Sequence, residues 1–545
     1  MKASPQGADM LVRSMRQAGI ETIFTLSGNH IMPLYNAILG QSMELIHTRH
    51  EGAAVHMADA WARLTGKVGL ALVTGGPGHA NAVSALYTAL QSESPVVLLS
   101  GHAPLSQSGW GAFQEMDQVA MARPVVKEAW VARSADTLAE DFAKACRIAM
   151  SGRPGPVHLS LPTDVLEGSA SQTALPELSC YEAQPQHLAP TAAEELMDRL
   201  RRAARPMILV GPQGLTDAGR NAVARLEAAS GLPTVATESP RGSNDPSLGA
   251  FAPLLSRADC VLLVGKRLDF TLGFGRPPVF ADDCVFLQVD ADNAEFERSK
   301  NAVGQRLEAC HEADAMAALA ALTQAGNGHT GKRHADWQAQ VNAGLAYRPP
   351  GWTTPGQAKP DTVHPAQLCK SVQTLLDSHP DAVLVIDGGE FGQWAQACLT
   401  APHRVINGAA GAIGAALPMA VAAKLAYPDA PVVAMMGDGT FGFHCAEFDT
   451  ALRCGAPMVC VVGNDARWNA EYQIQLRNYG ADRVIGCELL PSRYDRVATA
   501  FGGHGEHVDT HDALPHALAR ALTAGVPACV NISLDGLPAP VIRQA

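Results

Sequence analysis

Two apolar runs in the last third of the chain each stop at a carboxylate. "PVVAMMGDGT" closes in Gly437-Asp438-Gly439-Thr440, and "PMVCVVGND" closes in Gly463-Asn464-Asp465. Short apolar runs bounded by small residues read as strands of a buried parallel sheet. Ligands of such sheets bind beyond the carboxyl ends of the strands. Glycines there permit a tight turn and a close backbone approach to a phosphate. Mg²⁺ takes oxygen ligands and commonly shares them between a few protein oxygens and phosphate oxygens. The stretch therefore reads as a Mg²⁺–diphosphate anchor. Asp438 and Asp465 would be two ligands, and a backbone carbonyl near Arg467 a third. A lone Gly-Asp-Gly is an ordinary turn; the second acidic strand end is what favours the anchor.

The strands that must carry these tips belong to a repeating rhythm. "TIFTLSG", "VGLALVTGG" and "PVVLLSG" alternate with helical patterns such as "GAAVHMADAWARLTG". The rhythm restarts at "RPMILVGPQG", "ADCVLLVGKR" and "CVFLQVD", and again at "DAVLVIDGG". Strands fed by helices imply an α/β fold of three doubly wound parallel-sheet domains. The polar breaks set them at about 1–180, 190–325 and 360–545, with 326–359 as a linker containing some helix. No strict short-period repeat is visible, and the first and third groups are candidates for related folds.

The bulk numbers agree. A chain of 545 residues exceeds one core. Its 47% hydrophobic and 17% charged residues are ordinary for a soluble globular protein. The net charge of -12, without a basic run, argues against a nucleic-acid surface. The 12 cysteines form no C-x-x-C pair, which fits reduced, buried thiols in a cytoplasmic enzyme. No signal-peptide core opens the chain, and no apolar run reaches the roughly 18–20 residues of a membrane span.

Gly-Asp-Gly followed about 25 residues later by an Asn-containing strand end resembles the signature of thiamine-diphosphate (ThDP) enzymes. The resemblance covers nearly the whole chain, and it is closest to the acetohydroxyacid (acetolactate) synthase, benzaldehyde lyase and 2-hydroxyacyl-CoA lyase branch. It implies a pyrimidine-binding, a central and a diphosphate-binding domain. It also implies a homodimer or homotetramer whose active site lies between the first domain of one subunit and the third of its partner. One departure stands out: the family usually ends the motif Asn-Asn, whereas Asn464-Asp465 stands here. The resemblance gives the anchor residues Gly437, Asp438, Gly439 and Thr440 to the diphosphate and its Mg²⁺, with Asp465 and Arg467 completing the metal set.

Glu51, in "HTRHEGAAVHMADAWARLTG", opens a helix, where a glutamate by itself is most simply a partner of the helix dipole. By resemblance it hydrogen-bonds N1′ of the cofactor's aminopyrimidine and controls the proton at the thiazolium carbon. His30, in "TLSGNHIMPLYNAI", would be unremarkable in a loop. Benzaldehyde lyase carries a His in a similar setting, which implies a proton shuttle. Gln114, in the shared block Ala112-Phe113-Gln114-Glu115, would line the site of the partner subunit, or else be an interface residue. "VTGGPGHANAVSAL" lacks the order of a P-loop. By resemblance it borders the aminopyrimidine, with Asn81 as a polar contact. Gly388 and Gly389 would help hold the diphosphate, the Gly411 carbonyl would take the 4′-amino group, and Ile413 would be the fulcrum under the thiazolium. The plainer reading of "NGAAGAIGAALPMAVAAKLA" is a small-residue helix packed on a sheet.

These residues imply a ThDP- and Mg²⁺-dependent C–C lyase or carboligase acting next to a carbonyl. The acetolactate synthase-like reaction, from two pyruvates to acetolactate and CO₂, is the leading expectation. Alternatives are a 2-hydroxyketone lyase, which His30 favours, and a 2-hydroxyacyl-CoA lyase, which "VGKRLDFTLGFGRPP" favours. The partners would be a 2-oxo acid, an aldehyde, a hydroxyketone or an acyl-CoA. A ThDP/FAD oxidase is the contrasting class, yet the Met-rich flavin-contacting segment is not recognisable in "ATESPRGSNDPSLGAFAP", so no FAD is expected. A non-catalytic ThDP sensor would have no need of Glu51. Lys266 and Arg267 could meet a phosphate or be solvated surface charges.

Overall fold

A computed structural model describes residues 4–327, 332–353, 356 and 358–542. Three parallel sheets follow one another along the chain. The first contains β1 (Thr22–Thr25), β2 (Glu44–His47), β3 (Gly69–Val73), β4 (Val96–His102), β5 (Ala129–Val131) and β6 (Val157–Pro162), in the order β2-β1-β3-β4-β6-β5. The second contains β7 (Pro206–Val210), β8 (Thr234–Ala236), β9 (Cys260–Val264), β10 (Val285–Asp290) and β11 (Leu307–Glu312), in the order β11-β10-β9-β7-β8. The third contains β12 (Val383–Ile386), β13 (His403–Ile406), β14 (Val432–Gly437), β15 (Val459–Asn464), β16 (His504–Val508) and β17 (Ala528–Ser533), ordered β13-β12-β14-β15-β17-β16. Counted from its own first strand, the third sheet repeats the order of the first. The kinship expected of the two outer groups is thus visible in their topology.

Each sheet has a hydrophobic core on both faces, fed by consecutive side chains of its inner strands that point to opposite sides. Val432, Ala434 and Met436 of β14 join a core shared with the first domain, while Val433 and Met435 join a second core on the far face. The shared core forms where helix Glu51–Thr65 lies against helix Ala416–Ala426. Arg63 at the end of the first of these helices donates from a guanidinium NH to the Ile406 carbonyl at 2.8 Å.

The segment 326–359, expected as a linker with some helix, contains helix Ala335–Ala346, which buries Trp337 and Val341 against Met207 and Leu209; the Trp337 indole donates to the Pro206 carbonyl at 2.8 Å. Residues 328–331, 354–355 and 357 of that segment lie outside the described residues. Of the two readings open to Lys266 and Arg267, that of solvated surface charges is corrected. Lys266 is 6% exposed and donates to Thr271 Oγ1 at 2.9 Å; Arg267 is held by Glu295 and by Gln91 of the first domain. Among the described residues, no helix is long and apolar enough to cross a membrane.

Candidate active site

In a sheet of this topology the crevice opens where successive connections leave in opposite directions. For the third sheet that point lies between β12 and β14. A cavity of about 240 Å³ sits there. Every third-domain residue singled out in the sequence lines it: Gly388 and Gly389 after β12, Gly411 and Ile413 on the next loop, Gly437, Asp438, Gly439 and Thr440 at the end of β14, and Asp465 and Arg467 beyond β15. Gly437 pairs with Gly463 across β14 and β15, so the two acidic tips stand at one level.

Asn464 and Asp465 part company. Asn464 turns into the protein, donating to the Ser492 carbonyl at 2.8 Å and to Asn531 at 3.2 Å. Asp465 turns into the cavity. Ala466 between Asp465 and Arg467 sits at φ 56°, a left-handed conformation that costs a non-glycine residue energy and is met mostly at functional sites. The tight approach also explains Gly439, where a Cβ would lie 2.6 Å from the Trp468 ring.

The electrostatics suit a cation. Burial pushes the Asp438 carboxyl up to about 6, against hydrogen bonds from the Gly439, Arg467 and Ala466 backbones. Burial, and then the Asp438 charge, push Asp465 up to about 7. Asp438 Oδ2 is buried without a hydrogen-bond partner. Two crowded carboxylates with a free buried oxygen are a donor set for a hard divalent cation. Among the described residues no three His, Cys, Asp or Glu side chains gather as a metal site. A cation here would need backbone and phosphate oxygens to complete its shell. Two helices of ten and eleven residues, Gly389–Cys398 and Asn469–Tyr479, begin at the cavity and turn their unsatisfied N–H groups toward it, as phosphate binding requires.

Asp387, Asn407 and Trp468 were missed by sequence reasoning. Asp387 is fully buried and accepts from the Gly388, Gly414 and Ala416 N–H groups, which fixes the Gly411–Gly414 loop against the end of β12. Asn407 donates to the Ala412 carbonyl at 2.9 Å and holds the same loop. A strand ending in Ile-Asp-Gly-Gly was the available signal for Asp387. Nothing marked Asn407.

The first sheet has its own switch point, between β1 and β3, and the remaining candidates gather there. Glu51 is the first residue of helix Glu51–Thr65, and Asn81 donates to its Oε2 at 3.0 Å. Thr74, just past β3, shares a 3.3 Å hydrogen bond with His30 Nδ1. The imidazole stacks on Phe113 with ring centroids 5.9 Å apart, and burial lowers its pKa below the usual 6.5. Gln114 follows at φ 59°, its Oε1 buried and unpartnered. The structure therefore brings Glu51, Asn81, His30 and Gln114 into one group. None of them lines the third-domain cavity of the same chain.

Three family models match the chain in order: the thiamine pyrophosphate enzyme N-terminal TPP binding domain over residues 5–121, the central domain over 193–322, and the C-terminal TPP binding domain over 387–532. The chain belongs to the thiamine pyrophosphate enzymes, and it is a ThDP-dependent enzyme. It is 33% identical to a probable acetolactate synthase of Mycobacterium bovis, over 96% of this chain and 95% of the relative. It is 32% identical to 2-hydroxyacyl-CoA lyase 2 of Bos taurus, over 92% of this chain and 84% of the relative, and 30% identical to the human protein of the same name, over 96% and 89%.

Proposed function

We propose that the protein is a ThDP- and Mg²⁺-dependent C–C lyase or carboligase acting next to a carbonyl, with acetolactate synthase-like decarboxylation and acyl transfer as its reaction. The observation that carries the reading is buried Asp438 facing half-buried Asp465 at the switch point, with Asp438 Oδ2 unpartnered. When bound, ThDP supplies an electron sink beside the substrate carbonyl. The chain supplies the rest. Asp438, Asp465 and the Arg467 carbonyl hold Mg²⁺; Gly388, Gly389, Gly437, Gly439 and Thr440 cradle the diphosphate. Gly411 and Ile413 seat the ring system. Glu51, oriented by Asn81, moves the proton at the aminopyrimidine. His30 and Gln114 handle the polar groups of the substrate. Because the Glu51 group does not line the cavity of its own chain, a complete site takes both from two copies, in a homodimer or homotetramer. We keep the units at 1–180, 190–325 and 360–545, with helix 335–346 assigned to the central one. None of the 12 cysteines is in a disulfide, which fits a reducing cytoplasm.

A second reading is favoured by His30. Buried between Thr74 and Phe113, it is placed to move a proton on a hydroxyl, as a 2-hydroxyketone or 2-hydroxyacyl-CoA lyase requires. Incubation with ThDP, Mg²⁺ and pyruvate separates the two. Acetolactate with one CO₂ per molecule supports the synthase. Inert pyruvate, with aldehyde released from a hydroxyketone or a 2-hydroxyacyl-CoA, moves the protein to the lyases.

A further inference from the structure

We propose that Arg241 is a cofactor-binding residue supplied by the central domain, its guanidinium holding the outer phosphate of the diphosphate. The inference rests on the reading that the third-domain cavity holds ThDP.

Four carboxylates line that cavity, Asp438, Asp465, Glu390 and Glu471, and the cations that line it are Arg241 and Arg467. A divalent cation offsets part of the negative charge. A diphosphate entering beside Glu390 and Glu471 needs a further positive group at its outer end. Arg467 is already engaged, its guanidinium 4.2 Å from the centre of the Tyr472 ring. Arg241 is not. Its guanidinium makes no hydrogen bond and no ion pair among the described residues, although it is partly desolvated and lies in the field of Glu390 and Asp245.

Its backbone is fixed with care for an unpaired side chain. Ser239 Oγ accepts from the Arg241 N–H at 3.2 Å and donates to Gln396 Oε1 at 3.4 Å, on the helix that starts at Gly389. Gly242 then turns the chain at φ +55°, and a Cβ there would lie 1.8 Å from the Thr271 carbonyl oxygen. The loop is thus pinned on both sides, to the Phe270–Gly275 turn of the central domain and to the cavity helix, with Arg241 between them. A planar fork held there suits two oxygens of one phosphate.

Thiamine monophosphate lacks the outer phosphate and is the discriminating probe. Binding of ThDP and of thiamine monophosphate, each with Mg²⁺, is followed by quenching of Trp468 and the other tryptophans in the wild type, Arg241→Gln and Arg241→Lys. Loss of one charge-assisted contact predicts ThDP affinity about 10- to 100-fold weaker in Arg241→Gln. Monophosphate affinity should stay within about twofold, and Arg241→Lys should fall between. The ligand-free melting temperature should not move, because the guanidinium has no partner to lose. Equal weakening of both ligands, or of neither, overturns the proposal. A wild type that binds no ThDP overturns the cavity assignment itself, and the proposal with it.

Discussion

Asn81 donates from its amide to Oε2 of Glu51 over 3.0 Å, from the helix Pro77–Gln91 to the first turn of its neighbour. The bond aims a carboxylate that would otherwise have only its own helix N-terminus to face. Replacing Glu51 by Gln keeps the shape and removes the carboxylate to which the proposed function gives the acid–base role. Turnover should fall by about 10²-fold or more, with ThDP still bound. Asn81→Ala leaves the carboxylate in place but unaimed, and should cost less, about tenfold. Steady-state kinetics beside a ThDP titration checks both; full activity in Glu51→Gln would remove that residue from the chemistry.

His30 is held by Thr74 and stacked on Phe113, away from the diphosphate cavity. His30→Ala should therefore slow lyase turnover while leaving ThDP affinity nearly unchanged. Markedly weaker ThDP binding in the variant would show that its role is assigned wrongly.

Asp465 stands where the family resemblance leads one to expect Asn, and the Asp438 charge presses on it. Asp465→Asn should relieve that repulsion and raise the melting temperature of the ligand-free protein. The same change should weaken Mg²⁺-supported ThDP binding by about tenfold, since ligand charge sets cation affinity. Melting curves and a Mg²⁺ titration read the two effects separately.

Burial pushes His56 and His79 down to about 4 from an unfolded value of 6.5. The unfolded chain therefore binds more protons than the folded one below about pH 6.5. Stability from these two neutral imidazoles is fully present above pH 6.5 and drains away as the pH falls from there toward 4. Melting temperature should drop across that window. Exchanging His56 for Gln should flatten the slope, which differential scanning calorimetry across the same pH range will show.

Arg153 joins the first domain to the central one, pairing with Glu93 and, through two nitrogens, with Asp290. Both carboxylates are buried. Arg153→Ala strands them together and should cost about 3–5 kcal/mol. Denaturant unfolding measures the loss, and a cost below about 1 kcal/mol would mean that water reaches the site.

Much of this was legible in the chain because it is local. Apolar runs ending in glycine or Asp marked the strands, and the paired tips at Asp438 and Asp465 marked the cavity. What escaped was set by tertiary packing. Lys266 and Arg267 looked like free cations after a strand, yet Thr271, Glu295 and Gln91 consume them, the last from another domain. Trp337 sat in a polar stretch that reads as linker, and only the face of the central sheet shows why it is buried. Arg241 reaches a cavity built almost wholly by residues about 150 or more positions downstream, so no local pattern points to it.

The measurement that bears most directly on the central claim is calorimetric titration of ThDP into the wild type and Asp438→Ala, each with Mg²⁺ and each with chelator. The cavity assignment predicts binding to the wild type only when Mg²⁺ is present, and none to the variant in either condition. ThDP binding that survives both the chelator and the loss of Asp438 would contradict it.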